Sequence, residues 1–332
     1  MKPFALERAT DRAAAIAAAA ASATAQQGAS VRFLAGGTTL VDLMKLGVEQ
    51  PERVIDINRL GLDGIQELPD GGLRVGAAVT NSDLAHHRLV RQRYAALSEA
   101  ILAGASTQLR NAATTAGNLL QRTRCVYFRN TAMPCNKRES GSGCPAITGA
   151  NRMMAILGTS EACIASNPSD MAVAMLAYDA TVHIQGVSGL RSIALNDFFL
   201  MPQDRPDKEN VLEPGDLITH VTLPPPPAGE RSVYLKLRDR VSYEFALVST
   251  AVAAVVSNGK ITAVRFALGG VGTRPWRTPD AEKALIGQAP TEQNFRRAAD
   301  LALAGAKPQS QNGFKVELAK RCVVETLKRA TR

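Results

Sequence analysis

No stretch of the chain approaches the ~18 consecutive apolar residues of a membrane-spanning helix, so an integral membrane protein is excluded. The N-terminus, Met1-Lys2-Pro3-Phe4-Ala5-Leu6-Glu7-Arg8, carries charges where an export signal needs an apolar core, and no cleaved Sec signal is expected. Histidine is scarce, with four in 332 residues. His86 and His87 fall on a surface helix and His183 and His220 in strands, none with the neighbours of a catalytic triad, so nucleophilic catalysis has no support. Basic residues outnumber acidic ones, 39 to 30, for a formal charge of +9. They form neither a basic tail nor an aromatic-interleaved stripe, which argues against nucleic acid as partner. Cysteine pairs at C-x2–4-C spacing are also missing, which disfavours an ordinary zinc ribbon. Five cysteines, four of them between residues 125 and 163, do not make a disulfide scaffold either.

What remains is a folded globular composition, 45% hydrophobic and 21% charged. The length suggests two domains of ~150 residues each. Thr10-Asp11 caps an alanine-rich helix expected over 12–25. Val31-Arg32-Phe33-Leu34 reads as a strand, followed by a glycine turn, a helix over 40–46 and a strand over 53–57, an α/β layer pattern. Asp70-Gly71-Gly72 leads into a strand over 73–79, and Asn81-Ser82-Asp83 can cap the next helix. Residues 122–151 lack periodicity and read as one long loop, of the kind that is usually functional. A helix over 170–178 and a strand near 181–184 follow. Pro224-Pro225-Pro226-Pro227 is a stiff connector and the expected domain boundary. Beyond it, strands near 232–237, 247–256 and 260–268, the last two joined by Asn258-Gly259, precede a helical remainder over about 280–330. The second domain is thus expected to be an α+β unit.

Three corners could carry chemistry. In Leu34-Ala35-Gly36-Gly37-Thr38-Thr39-Leu40, two glycines let backbone N–H groups approach a ligand, and two hydroxyls and a helix start favour a phosphate. It is neither a P-loop nor a Rossmann fingerprint. Thr114-Thr115-Ala116-Gly117-Asn118-Leu119 is a second small, donor-rich corner, and Asn167-Pro168-Ser169-Asp170 a third whose aspartate could accept from a ribose or ribityl hydroxyl. Taken alone, the first two are more readily read as a tight or capped turn, and in the third Ser169 or Asp170 could simply cap a helix. Cys125, Cys135, Cys144 and Cys163 form C-x9-C-x8-C-x18-C with no histidine nearby. Four thiolates suit an iron–sulfur cluster, with zinc or unliganded cysteines as alternatives. Arg122, Arg124, Arg129, Lys137 and Arg138 would offset the thiolate charge against the single loop carboxylate Glu139. Cys322, within a helical pattern, reads as a core cysteine.

The order of these motifs over nearly the whole chain resembles the medium, FAD-binding subunit of the xanthine dehydrogenase (molybdenum hydroxylase) family. Phe33-Leu34-Ala35-Gly36-Gly37-Thr38-Thr39-Leu40 is similar to that family's first flavin loop, which wraps the pyrophosphate. The segment Arg110 to Leu119, with Thr114, Thr115, Gly117 and Asn118, is similar to its second, with Ala116 in place of the first glycine. Ala165 to Asp170 matches the segment whose aspartate meets the flavin polyol. Asp216-Leu217-Ile218 and Tyr234-Leu235-Lys236 match stretches bordering the isoalloxazine, where Lys236 and Tyr243 are expected. Leu268-Gly269-Gly270-Val271 and Arg274-Pro275 match the family's C-terminal domain.

Fifty-two positions separate Asn118 from Asp170, far more than in most of the family. The insertion, about 121–163, resembles those of bacterial periplasmic aldehyde oxidoreductases and hydroxybenzoyl-CoA reductase, which hold an extra [4Fe–4S] cluster. The resemblance therefore implies FAD and a [4Fe–4S] cluster on Cys125, Cys135, Cys144 and Cys163. It implies a vanillyl-alcohol-oxidase/PCMH-type flavin domain over 1–223 and a CO-dehydrogenase flavoprotein-type domain over 228–332, α+β overall. It further implies a heterotrimer with a molybdopterin-containing large subunit and a [2Fe–2S] small subunit. In that complex this chain would have no catalytic residue of its own and would pass electrons through FAD to an external acceptor. The expected compartment is the periplasm, reached by co-export with a signal-bearing partner, or else the cytoplasm. The rivals are a metal-stabilised scaffold subunit with a vestigial flavin pocket and an independent flavoprotein oxidase, for which no catalytic base is evident.

Overall fold

A computed structural model describes residues 1–332 and contains three sheets. The first is parallel, order β1-β3-β2, from β1 (Ala5–Arg8), β2 (Val31–Leu34) and β3 (Arg53–Asp56). The second is antiparallel, order β4-β5-β8-β6-β7, from β4 (Ile65–Glu67), β5 (Leu73–Gly76), β6 (Thr181–Gly186), β7 (Gly189–Ala194) and β8 (Leu217–Leu223). The third is antiparallel, order β11-β10-β9, from β9 (Arg231–Leu237), β10 (Val248–Ser257) and β11 (Lys260–Gly269). Pro224 to Pro227 link β8 to β9. This is the mixed helix-and-antiparallel-sheet architecture that the sequence implies.

Local chemistry explains most element ends. Asn258 and Gly259 take φ of +50° and +70°, the two left-handed residues of a tight hairpin, and join β10 to β11. Asp11 caps the first helix by accepting from the Ala14 N–H at 2.8 Å. That helix ends at Ala20, five residues before the expected Ala25, because Ser22 and Thr24 engage the backbone themselves. Thr80, not the expected 81–83 run, caps the helix Asn81–His86, its hydroxyl accepting from the Asp83 N–H at 3.0 Å.

Strand β10 is buried on both faces. Val248, Val252 and Ala254 point to a core shared with the helices Glu292–Leu303 and Phe314–Ala330. Ala251 and Ala253 point to the main core, beside the helices Ala95–Ala103 and Asp170–Ala177. The period of two along one strand thus joins two cores. Cys322 is buried in the second of them, accepting from the Thr250 hydroxyl at 3.3 Å.

His183 on β6 faces His220 on β8, their rings stacked at 4.1 Å and 4° apart in plane. Burial, then the charges of His183, Arg74 and Arg12, pull His220 down to about 4. Below its ordinary value near ~6.5, the unfolded chain takes up a proton that the folded one refuses. Stability should therefore fall as pH drops from that value towards 4. Melting temperatures at pH 7 and pH 4.5 check this: His220→Phe should lose less than the wild type, and an equal loss would contradict it.

Candidate functional site

The turn after β2 is built to leave donors free. The N–H groups of Gly36, Gly37, Thr38 and Thr39 donate to no acceptor in the protein, and Thr39 makes no side-chain cap for the helix Leu40–Lys45. Gly37 has φ +70°, a conformation that aims successive N–H groups to one side. Gly36 lies against the second corner so closely that a Cβ there would sit 1.7 Å from the Ala112 carbonyl oxygen. Thr114 caps the short helix Thr115–Leu119 by accepting from the Gly117 N–H at 3.2 Å. The two corners thus abut and wall one cleft, whose opposite side is the segment 209–218. It is an open cleft lined by residues from several separate segments of the chain.

Phe33, Ala35, Gly36, Gly37, Thr38, Thr39 and Leu40 line this cleft. So do Thr114, Ala116, Gly117, Leu217 and Ile218, from two other parts of the chain. Leu34 does not line the cleft, and Thr115 is fully buried, its hydroxyl donating to the Val79 carbonyl at 3.1 Å. Asn118 and Asp170 also stand off the cleft wall. The Asn118 Oδ1 accepts from Ser169 at 2.7 Å and from Gln121 at 2.7 Å. Ser169 caps the helix Asp170–Ala177, which leaves the Asp170 carboxylate for Lys236 Nζ at 2.8 Å and the Tyr234 hydroxyl at 2.5 Å. Lys236 is buried in this pair and also donates to the Ala103 carbonyl at 3.2 Å. Tyr243 is half-exposed in the β9–β10 connection, beneath the Arg240 guanidinium.

Sequence reasoning missed Arg32, Glu49 and Glu209, which also line the cleft. Nothing local marks them, because their partners are distant in sequence. Glu49 accepts from Arg32 at 2.9 Å and from Arg122 at 2.6 Å; Glu209 pairs with Arg122 and, at 2.8 Å, with Lys137. Burial works to raise the Glu209 carboxyl, but Arg122 and Lys137 outweigh it and hold the carboxyl below the usual range.

The 122–151 stretch holds one four-residue helix, Val126–Arg129, and otherwise turns and irregular backbone. The four cysteines 125, 135, 144 and 163 gather around one small cavity with Phe128 and Lys137. Its apolar cluster contains few residues, among them two of these thiols. Burial pushes Cys125 up to about 11 and raises Cys144 and Cys163 too, with Lys137 opposing it at Cys163. No three His, Cys, Asp or Glu side chains are close enough to share one metal ion. The cations expected to face the thiols are mostly committed elsewhere. Arg124 and Arg129 pair with Asp42 at 3.3 and 2.8 Å, and Arg122 with Glu49 and Glu209. Arg138 donates to the carbonyls of Tyr127, Phe128, Asn130 and Met133. Of these cations only Lys137 lines the cavity, and it too is paired, with Glu209; carboxylates from other segments hold Arg122, Arg124 and Arg129, and loop carbonyls hold Arg138.

Two family models match in succession: the FAD binding domain in molybdopterin dehydrogenase over residues 4–226, and the CO dehydrogenase flavoprotein C-terminal domain over 233–332. The chain is 50% identical over 331 residues to the aldehyde oxidoreductase FAD-binding subunit PaoB of Escherichia coli, covering 99% of each. It is 26% identical over 284 residues to the carbon monoxide dehydrogenase medium chain of Hydrogenophaga pseudoflava, 85% of this chain and 82% of that one. The solved CO dehydrogenase of Oligotropha carboxidovorans has the same fold, with a TM-score of 0.78 at 23% identity over 99% of this chain and 98% of that one. No helix is long and apolar enough to cross a membrane. With abutting glycine and threonine corners on one cleft and both family domains in order, this chain belongs to the FAD-binding medium subunits of the molybdenum hydroxylase family.

Proposed function

We propose that this chain is the electron-transferring flavin subunit of a molybdenum-dependent aldehyde oxidoreductase, carrying FAD in the cleft and a [4Fe–4S] cluster on Cys125, Cys135, Cys144 and Cys163. The observation that carries the reading is the end-to-end similarity to an aldehyde oxidoreductase FAD-binding subunit, joined to a cleft whose free N–H donors suit a diphosphate. Electrons would come from a [2Fe–2S] subunit served by a molybdopterin-containing subunit, and leave for an external acceptor. Bound FAD supplies the redox chemistry. The chain's own residues do the holding: Gly36 to Thr39 offer backbone donors to phosphate, Thr114 and Gly117 close the facing wall, and Leu217 and Ile218 exclude water. Asp170, Lys236, Asn118 and Tyr243 are assigned to the flavin's surroundings on the resemblance alone. The Asp170–Lys236 pair would then act by fixing the segment after Ala103 and not by a free carboxylate. The periplasm is the proposed compartment, by co-export with a signal-bearing partner.

The donor set at the cysteine cage supports the cluster reading. The cavity is lined by four cysteines and by no histidine, aspartate or glutamate, and four thiolates are the donor set of an iron–sulfur cluster. The native complex, purified and analysed for flavin, molybdenum, iron and acid-labile sulfide, tests the whole reading. Each of Cys125→Ser, Cys135→Ser, Cys144→Ser and Cys163→Ser should lose iron, whereas Cys322→Ser, in a different core, should keep it. Freshly isolated wild type without iron would refute the cluster; flavin-free protein would refute the electron-transfer role.

A further inference from the structure

The flavin cleft and the cysteine cage are joined by a row of alternating charges. Arg32, Glu49, Arg122, Glu209 and Lys137 follow one another at ion-pair distance, the first four on the cleft wall and the last on the cage. A smaller pocket between the two spaces is walled by Leu120, Lys137, Cys163, Glu209 and Asn210. The row is largely shielded: the Glu49 side chain is 3% exposed, Lys137 9%, Arg122 12%, Arg32 20% and Glu209 22%. Arg122 also stacks over Phe128 of the cysteine loop at 4.8 Å, and its Nη2 is buried without a partner.

We propose that Glu209, a positioning residue held between Arg122 and Lys137, couples the two sites, so that a filled cysteine cage strengthens flavin binding and bound flavin protects the cage. The proposal rests on the reading that the cage holds a [4Fe–4S] cluster and the cleft FAD. Its logic is charge pairing away from water. Lys137 lies two residues after Cys135 and keeps its place only while the loop is ordered. Without Lys137, the Glu209 carboxylate and the Arg122 guanidinium must rearrange, because a shielded charge that loses its partner is costly. Arg122 and Glu209 are themselves cleft wall, so the rearrangement alters the flavin's seat. The other tie between loop and cleft, Asp42 with Arg124 and Arg129, is weaker: Asp42 is 35% exposed, and solvent screens such pairs. Coupling between binding sites is reciprocal, so one factor must govern both directions.

The test uses the purified full-length chain, with FAD affinity measured by flavin fluorescence before and after removal of iron by a chelator. In the wild type, cluster removal should weaken FAD by about fivefold or more, the lower end of ordinary coupling factors. Added FAD should slow iron release to the chelator. In Glu209→Gln, which keeps the shape and removes the charge, the ratio of FAD affinities with and without iron should shrink towards one, and the slowing of iron release by FAD towards none. Lys137→Met should do the same and Lys137→Arg should preserve the coupling, which a merely structural role would not discriminate; these variants also serve if Glu209→Gln fails to fold. Wild-type-sized coupling in Glu209→Gln and Lys137→Met would overturn the proposal with the functional reading intact. Iron-free wild type would overturn that reading, and the proposal with it.

Discussion

Gly36→Ala is expected to yield folded protein with little or no FAD. The added Cβ would lie 1.7 Å from the Ala112 carbonyl oxygen and 2.6 Å from its carbon. Neither is the tip of a flexible side chain. Ala112 ends the helix Thr107–Ala112 and leads directly into Thr114 to Gly117, so relief of the clash must drive the two cleft-forming corners apart. Overpacking of a fitted interior costs about 1–3 kcal/mol, and backbone obstacles put this case at or above the top of that range. Gly37→Ala should be milder. Its Cβ would meet only the Val41 and Leu34 side chains, at 3.1 and 3.3 Å, and the strain of φ +70° for alanine is roughly 1–2 kcal/mol. Flavin absorbance per chain, with circular dichroism to confirm folding, ranks the two. Retained FAD in Gly36→Ala, or greater loss in Gly37→Ala, would contradict the order.

The largest stability loss should come from Lys315→Met. Lys315 is fully buried, and its ammonium donates to the carbonyls of Met153, Met154 and Gly270 at 3.1, 3.0 and 2.9 Å. Burial, then Arg152, pulls it down to about 7. The three carbonyls favour the charged form, because a neutral amine has two N–H groups for three acceptors. Methionine fills the same space and satisfies none of them. Each abandoned buried acceptor costs about 1–3 kcal/mol, so a loss of at least ~3 kcal/mol is expected. The melting temperature should drop by at least about 6 °C, at roughly 2–4 °C per kcal/mol for a unit of this size. A drop under 2 °C would contradict the assignment. Met153 and Met154 follow the cysteine loop, and Asn312 and Asn151 add bonds between the same two segments. The C-terminal helix therefore anchors the exit of that loop.

Local features of the sequence carried the motifs because their chemistry is local. A glycine pair after a strand, a threonine before a helix and Asn258-Gly259 in a hairpin each depend on neighbours a few residues away. The clustering of Cys125, Cys135, Cys144 and Cys163 was legible for the same reason, and the structure does gather these four around one cavity. Legibility failed where a residue's partner lies far along the chain. The loop cations looked free because Asp42, Glu49 and Glu209, which bind them, belong to other segments. Asp170 looked like an open acceptor, yet Lys236 and Tyr234, more than sixty positions away, already hold it.

The sequence by itself determined the type of each element it marked, the corners that bear donors and the thiol cluster, since each follows from propensity, turn chemistry or spacing. The strands Ala5–Arg8, Ile65–Glu67, Gly189–Ala194 and Leu217–Leu223 were not among those marked. Only the tertiary structure decided that the corners at Gly36 and Thr114 share one cleft. It alone ranks Gly36 above Gly37, through the Ala112 carbonyl, and it alone runs a line of paired charges from the cleft to the cysteines. The physical reason is that backbone approach and the pairing of buried charges are set by where distant segments meet, and no single segment encodes that meeting.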